Sequence, residues 1–346
     1  MEFDCHPEQT PGAPSLESVA RRPALSEPAG GAWAAFLIGF LCSMSLSMAG
    51  QTPQDLLAAG RVDQAVQTLE EQIKTAPTAE AYNLLCRAHF QLDAWDAGIP
   101  ACEKAVLLAP NNGLYHLWLG RIYGEKADRA SFFKAAGLAR KVRTEFERAG
   151  EFAPDNWEAH TDLAEFYLEA PGIFGGGEDK ARAQADLLLP LNPGMAHWAK
   201  ARLAEKHKDN AGAEQEYRAA IDASHGGARA WVNLAGFYRR VSRFDDMEQA
   251  LCTMESRPLD RPGALMDGAG LLFRTGRNSS MAVRLVRRYL NSSTVEEWPA
   301  FKAHYLLGEL LEKQGDHQAA ADEYRAALAM AHSFDHARQG LRRVER

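Results

Sequence analysis

Alternating runs of β-branched residues are hard to find in this chain, and without period-two patterning there is little from which to build a half-buried sheet. Cysteine is scarce as well. Cys5, Cys42, Cys86, Cys102 and Cys252 are too few and too scattered for a disulfide-built scaffold, so the fold must rest on packing. An excess of positive charge is missing: 39 Lys and Arg against 46 Asp and Glu give a formal net charge of -7. No basic face stands out to displace counterions from phosphates, which excludes a general nucleic-acid binder. Catalytic signatures are absent too. There is no Gly-x-Ser-x-Gly elbow and no His-Glu-x-x-His pair, and the carboxylates alternate with Lys and Arg as on solvated helix faces. The expectation is a protein that is not an enzyme and needs no cofactor.

What is present is ample apolar material, 46% of 346 residues, with 25% charged. That is enough for a buried core. Alanine is abundant through the second half, so the helical period dominates and the chain reads as all-α.

The N-terminal region stands apart. From Ala32 to Leu41 every residue except Gly39 is apolar, and the stretch continues more weakly through Met44, Leu46 and Met48 to Ala49. This is short for a membrane span, and serines at 43, 45 and 47 weaken its second half as a lipid-facing helix. Residues 32–49 therefore read as a signal peptide, with Ser47 and Ala49 as the small residues before a cleavage at Gly50. A membrane anchor over 32–48 and a buried first helix are the alternatives. Residues 1–31 read as a disordered tail. Its acidic residues outnumber Arg21 and Arg22, the reverse of a normal leader, and a start near Val19 would leave those two arginines as a compact basic region.

Downstream, helix-ending prolines recur at Pro77 and Pro110, a step of 33, and again at Pro154, Pro193 and Pro258. A period near 34 marks a helix-turn-helix solenoid. Trp231, Leu234, Ala235 and Tyr238 lie on one face of a first helix, and Met247, Leu251 and Met254 on a second. The spacing returns in Tyr82, Leu85, Cys86 and His89 with Gly98, Cys102 and Ala105. It returns again in His304, Leu307, Gly308 and Leu311 with Ala320, Tyr324 and Ala327. Small residues recur where paired helices approach most closely, at Gly120, Ala164, Ala201, Ala235, Ala269 and Gly308.

This pattern resembles the tetratricopeptide repeat family, in its bacterial exported form. The resemblance covers residues 50–333, about seven full repeats plus a partial first one, with 334–346 as a C-terminal capping helix. It implies a right-handed superhelix of helical hairpins and a non-enzymatic scaffold whose concave groove binds a protein or peptide partner. Two units are stretched, with steps of 44 residues from Pro110 to Pro154 and 39 from Pro154 to Pro193.

The resemblance also places the first helices along the groove. The candidate contact residues are then Asn83, Arg87 and Phe90, Leu117 and Arg121, Glu165 and Leu168, Trp198 and Arg202, and Arg239. Arg87 and Arg121 occupy the same place in adjacent units and read as a free positive site in an acidic protein. Cys86 and Cys102 admit three readings: a disulfide, two buried small residues, or part of a metal site that lacks a fourth ligand. The glycine-rich stretch Gly172 to Lys180 lacks the Gly-Lys-Ser/Thr of a phosphate loop and reads as an insertion within one hairpin. The functional expectation is an adaptor outside the cytoplasm, with a structural subunit of a cell-envelope complex as the alternative.

Overall fold

The computed structural model describes residues 51–346, so the tail and the apolar stretch 32–49 lie outside the described residues. Seventeen α-helices follow one another, with no named strand among the described residues. They pair as hairpins: α1 (Pro53–Ala58) with α2 (Val62–Thr75), α3 (Ala79–Gln91) with α4 (Trp95–Leu108), α5 (Gly113–Asp128) with α6 (Phe132–Phe152), and α7 (Trp157–Glu169) with α8 (Glu178–Leu191). The second half continues with α9 (Pro193–Lys206) and α10 (Asn210–Ala223), α11 (Ala228–Arg240) and α12 (Phe244–Glu255), α13 (Gly263–Thr275) and α14 (Ser279–Leu290), and α15 (Ala300–Lys313) and α16 (His317–Met330). Helix α17 (Asp335–Val344) closes the stack. The result is a tetratricopeptide-type superhelix.

Local chemistry sets each hairpin. Thr78, Asn112, Asn156 and Asn192 cap the first helices of four hairpins through side-chain oxygens, occupying backbone N–H groups that the helix leaves orphaned. Within hairpins one residue turns left-handed: Gly60, Asp93, Lys208, Ser242, Gly276 and Gly315. From Lys208 to Ser242 to Gly276 the step is 34 each time. After each of these the next N–H reaches back to a carbonyl in the last turn, as in Asp209 to Ala204 at 3.0 Å and Arg243 to Tyr238 at 2.8 Å. This Schellman closure stops one helix and aims the next.

Packing then stacks the hairpins. The six small residues at the close-approach position are all buried. At Gly120 an added Cβ would lie 2.5 Å from the Phe146 ring, which shows how near α6 comes to α5. The extra residues of the stretched units are also accounted for. One set lengthens α6 to 21 residues, and the other forms the short 3-10 turn Gly172–Phe174 between α7 and α8. Helix α17 buries Ala337 and sets Gly340 against the Tyr324 ring, and so shields the last hairpin.

The superhelix returns on itself. The connection between α14 and α15, residues 291–299, is held by Tyr289, whose hydroxyl accepts from the Val295 N–H at 2.9 Å and donates to the Trp298 carbonyl. From there it reaches the opposite end of the stack: Thr294 donates to the Ala58 carbonyl at 3.0 Å, and Gln91 to the carbonyl of Glu296 at 3.1 Å. Lys302 pairs with Asp93 at 2.9 Å, and His332 meets Asp63 at 2.5 Å. First and last hairpins thus close one turn.

Candidate partner-binding groove

The inner side of that turn is lined by first helices, because the second helix of each hairpin packs outside them. Between α3, α5, α7 and the 291–299 strap lies a cavity of about 540 Å³. Trp118 stands at its centre. The guanidinium groups of Arg87 and Arg121 flank the indole at 5.2 and 5.0 Å, within cation–π range, and Phe90 meets it edge-on at 5.5 Å. Trp157 and Leu114 extend the apolar wall, and Arg229 sits 5.3 Å from the Trp157 ring.

The charges here are largely matched within the chain. Arg121 donates to Asp162 at 2.6 Å and to Glu158 at 2.9 Å. Burial works against the Arg121 charge, but the two carboxylates outweigh it and hold the guanidinium firmly protonated. Burial also raises the Asp162 carboxyl, with Arg121 opposing. Glu165, one turn on, is likewise raised, by desolvation and by the charge of Asp162. A second cavity of about 350 Å³ continues between α9, α11 and α13, sharing Arg229 and Glu297 with the first.

The tetratricopeptide repeat family matches residues 54–113 and 268–333, the segments that hold the first two hairpins and most of the last two. Those two segments are tetratricopeptide repeats. No curated protein matches the chain. Among solved structures it is similar to a thermophilic tetratricopeptide protein of Thermus thermophilus, at 21% identity over 54% of this chain and 96% of that one, TM-score 0.44. It is similar to yeast Tom70 at 15% identity over 82% of this chain and 58% of that one, TM-score 0.49. A tetratricopeptide protein of Parabacteroides merdae shows 17% identity over 81% and 100%, TM-score 0.38. These likenesses stand beside the hairpin geometry and add no weight to it.

In this tetratricopeptide stack the residues expected at the groove divide into three groups. Arg87, Phe90 and Arg121 line the first cavity, and Trp198 and Arg239 the second. Glu165 borders neither of these two, and Arg202 pairs with Glu169. Asn83, Leu117 and Leu168 differ: all three are buried, Leu117 completely, in contacts between helices. A helical residue turns by about 100°, so a one-residue error moves a side chain from groove to core. One step on from Asn83's equivalents, Trp118, Asp162, Asn233 and Asp267 are the residues that face the cavities.

Arg87 and Arg121 also depart from the reading as free cations. Arg87 is held by Glu296 and Arg121 by Asp162 and Glu158. Glu296 and Glu297 come from a connection far along the chain, and no repeat pattern points to them. Trp118 and Trp157 carry a signal in their type, large aromatics on first helices.

The remaining candidates are quickly placed. Cys86 and Cys102 face one another across the α3–α4 hairpin as a disulfide with Cα atoms 5.1 Å apart. Among the described residues no group of three or more His, Cys, Asp or Glu is arranged to hold a metal ion. The glycine-rich insertion borders a cavity of about 730 Å³ with Arg202, Glu205 and Lys206. Its lysine folds back onto the loop, Lys180 to the Gly175 carbonyl at 2.9 Å, while Lys206 is taken by the Leu168 carbonyl at 2.8 Å. A Cβ at Gly176 would fall 1.8 Å from the Ala170 carbonyl oxygen, so glycine there lets the loop close on α7. Among the described residues no helix is long and apolar enough to cross a membrane.

Proposed function

We propose that this protein is a non-enzymatic adaptor that holds a segment of a protein partner in the concave groove, outside the cytoplasm. The observation that carries the reading is the Trp118 cavity: an indole flanked by two guanidinium groups, walled by Phe90, Trp157 and Leu114, and open to the inside of the turn. Aromatic and arginine anchors in a concave site are the residues that dominate protein interfaces. Its size suits one or two side chains of an extended segment. Since Arg87 and Arg121 are already matched by acids, the contribution of this cavity is apolar burial and stacking more than charge.

Affinity capture with residues 50–346 tests the proposal. A substoichiometric, exchangeable partner that is lost on Trp118→Ala supports an adaptor. A fixed-ratio assembly indifferent to Trp118 supports instead a structural subunit that uses outer faces, for which Leu107 on α4 and Leu187 on α8 stand 70% and 50% exposed. Export draws its support from the apolar stretch 32–49 with small residues at Ser47 and Ala49. N-terminal sequencing of the native product should find Gly50 or a near neighbour first, and an intact Met1 in a cytoplasmic fraction would sink that part.

A further inference from the structure

The second cavity differs from the first in one respect: its cations are not all matched. Arg240 is satisfied by Glu205 at 2.7 and 2.8 Å, and Arg261 by Asp267 and Glu297. Arg239 and Arg274 have no ion pair and no side-chain hydrogen bond among the described residues, although both line the same 350 Å³ space. The Nε of Arg239 is buried without a partner. An unpaired buried guanidinium N–H is costly, and structures normally provide it with an acceptor.

The floor of this space is shaped to admit something. Gly236 on α11 and Gly270 on α13 occupy equivalent positions and present bare backbone to the cavity. The Arg274 guanidinium lies over Gly270, its Nη1 3.3 Å from where a Cβ would stand. Asn233 borders the same cavity and makes no side-chain hydrogen bond among the described residues, and Trp198 and Trp298 form the walls. The Arg274 side chain is exposed to solvent along one side of the cavity; partial desolvation and the like charge of Arg239 lower its pKa, with Asp267 opposing. Two like charges side by side repel one another, and a bound anion offsets that repulsion.

We propose that Arg239 and Arg274, with Asn233 as a third donor, form a binding site for an oxyanion, a carboxylate or phosphate group. Guanidinium groups present paired N–H donors that match both anions. The site stands on its own geometry, whether or not the Trp118 cavity holds a peptide.

The test is titration of the purified protein, followed by calorimetry at fixed ionic strength, with inorganic phosphate and with a hexaglutamate peptide as separate probes. Saturable binding of either probe is expected, weakened about tenfold or more in Arg274→Gln and in Arg239→Gln, and unchanged in Arg287→Gln on the exposed face of α14. Phosphate alone binding identifies a free small anion as occupant. Tighter binding of the peptide identifies an anion carried on a chain. If Arg239→Gln does not fold, Arg239→Lys takes its place, keeping the charge but losing the fork, and a several-fold loss is expected. In the absence of any anion, Arg274→Gln should unfold at a higher urea concentration than the wild type, because it removes one of two opposed charges. A lower urea midpoint would assign Arg274 a structural role. Binding of neither probe, or binding undiminished in Arg274→Gln, overturns the proposal.

Discussion

Arg87 and Glu296, 209 positions apart in the chain, meet as a two-point ion pair, with Nε donating to Oε1 at 2.7 Å. Both side chains are about four-fifths buried. Through this pair the strap between α14 and α15 is fastened to α3, beside the Gln91 and Thr294 hydrogen bonds. Replacing Arg87 is therefore expected to reduce stability, which a free positive site would not require. A double-mutant cycle with Arg87→Ala and Glu296→Ala should give a coupling of about 1 to 3 kcal/mol, and amide exchange in residues 292–298 should accelerate in each single variant. A coupling near zero with unchanged exchange would show that the strap is held by its other contacts.

The disulfide between Cys86 and Cys102 closes a loop with a sequence separation of 16 inside one hairpin. Thiol counting on the denatured, unreduced protein should find these two cysteines blocked. Loss of the link in the Cys86→Ala, Cys102→Ala double variant is expected to lower the unfolding free energy by about 3 kcal/mol, the figure for a loop of this length. Both thiols reacting freely in unreduced protein would instead support the reading of two buried small residues.

Acid should weaken the α10–α12 region by a definable route. Burial raises the Glu214 carboxyl, but hydrogen bonds from Arg218, Tyr238 and Arg243 outweigh it and bring its pKa from 4.5 down to about 2. With the folded value below the unfolded one, the stabilisation is fully present above pH 4.5 and is lost as pH falls toward 2. The urea midpoint of the wild type should exceed that of Glu214→Gln near neutrality, and the gap should narrow steadily through that window. A gap that stays constant with pH would mean that the carboxylate charge contributes nothing.

Two glycines separate helix propensity from packing. Alanine is favoured over glycine in a helix interior by up to about 1 kcal/mol. At Gly124 of α5 nothing lies within 4 Å of an added Cβ, so Gly124→Ala should raise the thermal midpoint. At Gly308 a Cβ would fall 2.6 Å from the Tyr324 ring, which is pinned from the other side by Gly340 and by a 2.5 Å hydrogen bond to Glu312. Overpacking there costs about 1 to 3 kcal/mol, more than propensity returns, so Gly308→Ala should lower the midpoint. Equal shifts in calorimetry for both variants would refute the close packing of α15 on α16.

The amino-acid sequence by itself determined the repeat. Residues such as Gly120, Ala235 and Gly308 declare where helices touch, and caps such as Asn112 and Asn156 declare where they start, because both act within one hairpin and recur with its period. It left part of the groove one residue out of register: Leu117 and Trp118 are neighbours in the chain, and only the packing of α5 decides which one is core. The charge state of the groove was likewise settled by tertiary structure. Arg87 is neutralised by an acid 209 positions away and Arg121 by acids on the next hairpin, whereas Arg239 and Arg274 keep their charges unmatched. Long-range pairing depends on how far the superhelix turns before it closes, and that angle is a sum over all hairpins that no local pattern contains.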